Sequence, residues 1–464
     1  MAGLIDLLRT GAFVTRERVR LVAFGVLAAS LIGIVFLLAG STGLNDSYGR
    51  PLGTDFASFY AAGTLVHDGL AAQAYDPAVH FAREQAIFGP AAQYYAFQYP
   101  PVFLLVGAAL AALPYLPALV IWQTATLLLY LLAMRAVLLI PPPQGEGVAA
   151  PLARSRASST RYGAVTGGVN SSEETVTPPG LLRSPPSPFR GGIKKDWLLL
   201  ALAFPAVFIN LGHGQNGFLT VALFAGALAL LDRRPLAAGV LIGLMIYKPQ
   251  FGLMIPLVLV ATGRWRVIVA AAMTIAVLLL VTLLAFGPAV WPAFLASMTF
   301  TRVVLLEQGD VGFFKMQSVF AWVRLWSGPV TLAYIVQSAV TLGVAAALIW
   351  FWRSRARYPL KAAALLIGTL LATPFCLDYD LMLLAPAIAF LAIDGQRDGF
   401  CYWHKTVLAA LWLVPLVARS VAEAVSIPLA APGMLAAFVF VLQRAISDGT
   451  GLQGDGASAS SSLK

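Results

Sequence analysis

Residues 21–40 read LVAFGVLAASLIGIVFLLAG, an uncharged run of apolar and small side chains. As a helix it reaches about 30 Å, the thickness of a bilayer's hydrocarbon core. Arg9, Arg16, Arg18 and Arg20 precede it. Basic flanks stay on the cytoplasmic side, so the N-terminal segment is expected inside and the following loop outside. A cleaved signal would carry a similar flank, and Ala39-Gly40-Ser41 is small enough to be cut. A signal's apolar region usually spans only about 7–15 residues, which favours an uncleaved first helix. Beyond the run stands Gly53-Thr54-Asp55-Phe56-Ala57-Ser58-Phe59-Tyr60, a carboxylate among aromatic rings. Asp55 can be read as a helix cap or solvated loop acid, or as a base acting on a lipid-linked substrate at the bilayer surface.

Composition agrees with the first helix. The 464 residues are 59% hydrophobic and 11% charged, with mean hydropathy +0.80. Soluble domains carry about 25% charged residues. The expected class is an all-α polytopic membrane protein. The net charge of +10 is spread in short clusters between apolar runs, the pattern of cytoplasmic loops, so no nucleic-acid partner is expected. Two cysteines in separate segments and four scattered histidines indicate no disulfide framework, metal site or cofactor.

The organisation follows from where apolar character stops. Residues 1–140 hold the first transmembrane helix, an outer-face loop and a second span at 118–140. Within that loop, 58–70 and 77–88 read as helices lying on the membrane surface, separated at Tyr75-Asp76-Pro77. The run 100–113 is apolar but short; were it to cross, every later basic cluster would land outside, so it reads as embedded without crossing. Residues 141–195 are rich in Pro, Gly, Ser and Arg without apolar period, and are expected to be a disordered cytoplasmic insert. Residues 196–446 form the transmembrane bundle, and 447–464 a disordered C-terminal tail.

With basic clusters inside, about twelve spans result, and several polar turns share the side of Asp55. These are His213-Gly214-Gln215-Asn216, Lys248-Pro249-Gln250, Glu307-Gln308-Gly309-Asp310 and Asp378-Tyr379-Asp380. The runs 236–247 and 251–262 reach only about 18 Å each as helices. Lys248 and Gln250 should therefore sit below the surface, at a cavity floor, unless Lys248 snorkels out. The shared side thus holds acids (Asp55, Asp378, Asp380), a cation (Lys248), a histidine (His213), amides (Gln98, Gln215, Asn216, Gln250) and tyrosines (Tyr94, Tyr95, Tyr99, Tyr379). Such a set suits displacement of a lipid phosphate by a hydroxyl: an acid takes the proton, a cation holds phosphate, amides and acids hold sugar hydroxyls. No glycine-rich phosphate loop is present.

At these residues the chain resembles glycosyltransferase family 87. The resemblance lies in Asp55-Phe56 through Tyr60, Tyr75-Asp76, Tyr99-Pro100-Pro101, Leu113-Pro114-Tyr115, Gly214-Gln215-Asn216, Ala238-Gly239 and Lys248-Pro249-Gln250, in that order. It covers about residues 20–395 apart from the insert. That family belongs to the GT-C membrane glycosyltransferases and includes polyprenol-phosphate-mannose-dependent mannosyltransferases. The resemblance implies a GT-C-like bundle with membrane-edge helices in the first outer loop. It also implies inverting, metal-independent transfer from a polyprenyl-phosphate sugar, mannose-like, to a lipid or glycan hydroxyl, with Asp55 as general base. Gln98, Tyr99, His213, Gln215, Asn216, Lys248, Gln250, Asp378, Tyr379 and Asp380 are the candidate substrate-binding residues. The expected setting is a bacterial inner membrane, among membrane lipids, with the site facing the periplasm or exterior. Some members carry a functional histidine in a later outer loop; here the comparable place reads Leu377-Asp378-Tyr379-Asp380.

Blander readings stand beside these. Asp378 or Asp380 can cap the helix that follows. Asp310, Lys315 and Arg324 read as solvated charges of an outer loop at 288–329, with donor-phosphate binding the alternative, and His67 and His80 as surface residues. Trp122, Trp322, Trp326, Trp350 and Trp352 fit interfacial anchors. A transporter or flippase of a lipid-linked or anionic solute is the competing function, with the short helices around Lys248 as its broken-helix site. A lipid-carrier binder without activity is a third.

Overall fold

A computed structural model describes residues 2–140 and 192–457, and among them it is helical with no strand beyond isolated bridges. The expected insert and tail lie outside the described residues, apart from the helical stretches 192–195 and 447–457 at their edges. A short α1 (Ala2–Thr10) leads to α2 (Arg16–Ala39), which Thr15 caps by accepting from Arg18 N. The loop beyond holds α3 (Thr54–His67) and α4 (Pro77–Phe88); Asp76 caps the latter, with Pro77 at the position whose missing N–H is harmless. Then come α5 (Leu104–Ala111) and α6 (Tyr115–Leu138). After the gap, α7 (Gly192–Leu202) and α8 (Pro205–His213) meet at a 47° bend where Pro205 removes a helix donor. The chain continues through α9 (Gly217–Leu230), α10 (Pro235–Leu244), α11 (Pro249–Gly252), α12 (Met254–Ala261) and α13 (Trp265–Phe286). Next are α14 (Val290–Phe300), α15 (Val319–Leu325), α16 (Val330–Arg353), α17 (Tyr358–Ala372), α18 (Leu384–Asp398), α19 (His404–Val425) and α20 (Ala430–Ala457).

Six of the described helices are long and apolar enough to cross a membrane, seven if the bent pair α7 and α8 is one span. The chain is a multi-pass membrane protein. The expected count of about twelve requires the shorter apolar helices, of 10–17 residues, to be spans as well. Several of these occupy the middle of the bundle. α17 is the clearest: from Leu360 to Ala372 only Lys361 is not buried, as expected of a helix apolar on all sides. Neighbouring helices α16, α18 and α20 enclose it.

The first loop departs from its expected form. α3 begins at Thr54, four residues earlier than the apolar pattern suggests, which puts Asp55 in its first turn. It is no surface helix: Phe56, Phe59, Ala62 and Leu65 are buried. α3 and α5 touch backbone to backbone, because a Cβ on Gly63 would lie 2.1 Å from the Gly107 carbonyl oxygen. His80 is fully buried and faces Glu84 at 3.4 Å, rather than water. Trp122 and Trp352 are buried too, so they are core residues and not interfacial anchors; Trp326 and Trp350 are exposed.

The stretch 288–329 is likewise more than a loop. α14 runs on through a π-helical turn, Thr301–Glu307, and α15 follows. Phe294 packs on Tyr75 and Phe300 on Tyr94, so the helix lies along the first-loop segment at one end of the bundle.

Candidate active site

Two adjoining cavities open at that end. One, of about 430 Å³, is lined by Asp55, Gln98, Tyr99, His213, Gln215, Asp378 and Tyr379, together with other polar groups. The second, of about 380 Å³, shares Gln98, Tyr99 and Tyr379 and adds Lys248, Gln250 and Asp380. Ten of the eleven expected site residues thus line these two adjoining cavities. Asn216 lines neither. It is fully buried beside the Tyr99 hydroxyl.

Asp55 is positioned by the turn between α8 and α9. Gln215 Nε2 donates to Asp55 Oδ2 at 2.8 Å, while Gln215 Oε1 accepts from Tyr99 OH at 3.1 Å and from Asn216 N at 2.7 Å. One glutamine therefore holds the carboxylate, the tyrosine and its own turn. That turn is anchored from α6: Trp122 Nε1 donates to Gly214 O at 3.0 Å and Gln123 Nε2 to Leu211 O at 2.8 Å. Gly214 has φ +64, and a Cβ there would lie 2.5 Å from Phe56 Cβ, so glycine is required on both counts. His213 Nδ1 and Thr54 Oγ1 share a hydrogen bond of 2.7 Å, which brings the histidine beside the first turn of α3.

Burial pushes the Asp55 carboxyl above the ordinary carboxylate range, opposed by His213, the Gln215 hydrogen bond, Lys315 and Lys248. Asp378 is also raised by burial, opposed by His213 and Arg419. Tyr99 and Tyr379 are held well above the usual phenol value by burial, with Asp55 and Asp380 among the charges adding to it. A raised pKa and a place in the lining of a polar cavity make a carboxyl a candidate general base.

The second cavity has a different character. Phe294, Met298, Leu306 and Phe375 give it apolar walls, and Arg302 and Lys248 stand in it. Lys248 is buried as expected, and does not snorkel: its Nζ meets Asp380 Oδ1 at 2.8 Å and lies 5.2 Å over the Tyr379 ring. Asp380 Oδ2 also accepts from Leu377 N at 3.0 Å, so this acid is both a helix-start cap and an ion-pair partner.

Several lining residues were not among the expected site residues. Asp310 and Lys315 line the Asp55 cavity, where solvated loop charges were expected. Burial and the neighbouring Arg419 lower the Lys315 pKa, while Asp378 and Asp55 raise it. Arg324 instead ties its own segment, donating to Gly328 O and Glu307 O. Arg50, Ser58 and Arg419 also line it. Ser58, one turn from Asp55, is 2% exposed, and its hydroxyl has no partner among the described residues. Arg419 had a sequence signal: it follows the uncharged run 406–418 within α19, and an ionisable residue there is a functional candidate by default.

Among curated proteins and among solved structures, nothing matches this chain. A family profile does match, over residues 97–374, more than half of the chain. The matched range takes in the α8–α9 turn and Lys248, and leaves Asp55 and Asp378 to Asp380 outside its ends. On that match, the chain belongs to glycosyltransferase family 87.

Proposed function

We propose that the protein transfers a mannose-like sugar from a polyprenyl-phosphate donor to a lipid or glycan hydroxyl, with inversion and with Asp55 as general base. The observation that carries this reading is the Asp55 carboxylate, held by Gln215 at 2.8 Å in a polar cavity that adjoins an apolar-walled one. Membership of a glycosyltransferase family supplies the reaction class. The apolar walls suit the first isoprenoid units of a lipid carrier, and the acids, amides and tyrosines suit sugar hydroxyls.

In this mechanism the acceptor hydroxyl attacks the anomeric carbon as Asp55 takes its proton. The bond from that carbon to the phosphate oxygen breaks on the opposite face, and the lipid phosphate leaves with the electron pair. Lys248 pairs with Asp380 at 2.8 Å, more closely than Arg419 with Asp378 at 3.9 Å or Arg302 with Glu307 at 3.7 Å, so the cations proposed for the leaving phosphate are Lys315, Arg419 and Arg302, which line the two cavities. The reaction is proposed at the outer face of a bacterial inner membrane, from the basic flank of α2 and the shared side of the polar turns.

Purified protein supplied with a polyprenyl-phosphate sugar and a glycan or lipid acceptor tests the reading. Transfer by the parent is expected, with a loss of about 10²- to 10⁴-fold in Asp55→Asn at unchanged folding. Full activity in that variant would remove Asp55 from the mechanism, and no transfer with any such donor would remove the donor class.

A further inference from the structure

The segment 93–99 forms one wall of the Asp55 cavity, and its Gln98 and Tyr99 line the second cavity as well. It belongs to no helix or sheet. Among the described residues, none of its backbone groups bonds to another backbone group. A segment without a ladder must take its partners from side chains or water. Side chains fasten its backbone at two points: Tyr75 OH donates to Tyr99 O at 3.0 Å, and Tyr95 N donates to Glu84 Oε2 at 3.0 Å.

Glu84 is half of a pair that the transfer chemistry leaves unused. It and His80, one turn apart on α4, are both fully buried, with His80 Nε2 3.4 Å from Glu84 Oε1. Rings of the wall pack on the histidine: Phe97 stacks on it at 6.3 Å, and Tyr94 meets it edge to face at 6.1 Å. Burial raises the Glu84 pKa, opposed by His80 and the Tyr95 N–H. Stability does not account for such a pair, because well-packed apolar side chains of similar volume are often as stable or more so. What apolar side chains could not supply is an acceptor for Tyr95 N.

We propose that His80 and Glu84 are positioning residues for the transfer. Glu84 fixes Tyr95 and His80 fixes Glu84, so the pair sets where the wall presents Tyr95, Gln98 and Tyr99 to the substrate. This inference rests on the reading of the Asp55 cavity as the site of sugar transfer. Tyr99 extends the effect to the acid itself, since its hydroxyl donates to Gln215, which holds Asp55.

The test compares the purified full chain with Glu84→Gln and with His80→Phe combined with Glu84→Leu. Three quantities are read: melting temperature, hydrogen exchange of the 89–99 amides, and kcat/KM for transfer from a polyprenyl-phosphate sugar. The apolar pair should melt at or above the parent, yet its 89–99 amides should exchange several-fold faster. Its kcat/KM should fall by up to about tenfold, the worth of one hydrogen bond. Glu84→Gln keeps an oxygen for Tyr95 N and should stay near the parent in all three. A pair that served stability alone would show parental exchange and transfer in the apolar variant. That result, or a Glu84→Gln as impaired as the apolar pair, would overturn the proposal. Glu84→Met, which removes only the acceptor, answers the same question if the double variant does not fold. No transfer by the parent with any such donor would overturn the reaction, and the exchange measurement would still decide the tether.

Discussion

Asp55 is an acid whose environment works against its own charge. Burial raises its pKa above the unfolded value, and the Gln215 hydrogen bond pulls in the opposite direction. The acidic limb of the transfer rate should therefore lie above the usual carboxylate range, and Gln215→Leu should move it further up, because the ionised form loses its donor. A pH–rate profile of the two proteins checks this; a downward shift would contradict it. The same burial bears on stability. A folded-state pKa above the unfolded one means the native chain binds the proton more tightly, so the carboxylate destabilises the fold above the unfolded pKa, and that penalty vanishes at lower pH. Asp55→Asn should accordingly melt higher than the parent at neutral pH, with the difference shrinking on acidification. Ser58 gives a complementary case. Its buried hydroxyl has no partner among the described residues, so Ser58→Ala should leave thermal stability unchanged or slightly higher. If substrate supplies the missing partner, KM should rise by up to about tenfold, the worth of one hydrogen bond.

At the scale of elements, the site depends on places where helices stop. The break between α10 and α11 and the turn that precedes α18 are joined by Lys248 and Asp380, each about 4% exposed or less. Removing one member of a buried pair leaves an uncompensated charge, typically about 3–5 kcal/mol of destabilisation. Lys248→Met and Asp380→Asn should each lower the melting temperature strongly, while the double variant should recover much of the loss; additive losses would show that the pair is not the reason. The α3–α5 contact is equally specific. Gly107→Leu must push the two backbones apart, so it should destabilise the chain and lower activity together by displacing α3 and Asp55. Run lengths in the sequence made the short helices visible and placed Lys248 below the surface. They did not show that α3 is a core helix, because its glycine and alanine face reads as weakly polar until α5 is packed on it.

For the whole molecule, the cavity draws on α3, the 93–99 segment, the α8–α9 turn, the 310–315 segment, the turn before α18 and α19. Those pieces meet at one end, and the charge argument places that end outside. A cysteine introduced at Gln93 should then react with an impermeant reagent from outside, and one in 141–191 should not. Labelling in the opposite sense would invert the topology.

The sequence alone determined the class of this protein and its helical character, and it singled out many of the residues that line the two cavities. Composition and apolar run length act locally, and polar residues concentrated between apolar runs mark where the chain turns. It could not determine which of those polar residues touch. Gln215 reaching Asp55, Lys248 reaching Asp380, the burial of His80, and Arg419 joining a cavity formed by segments hundreds of residues away were decided by tertiary packing. Pair distances depend on how helices cross, and no local pattern encodes that.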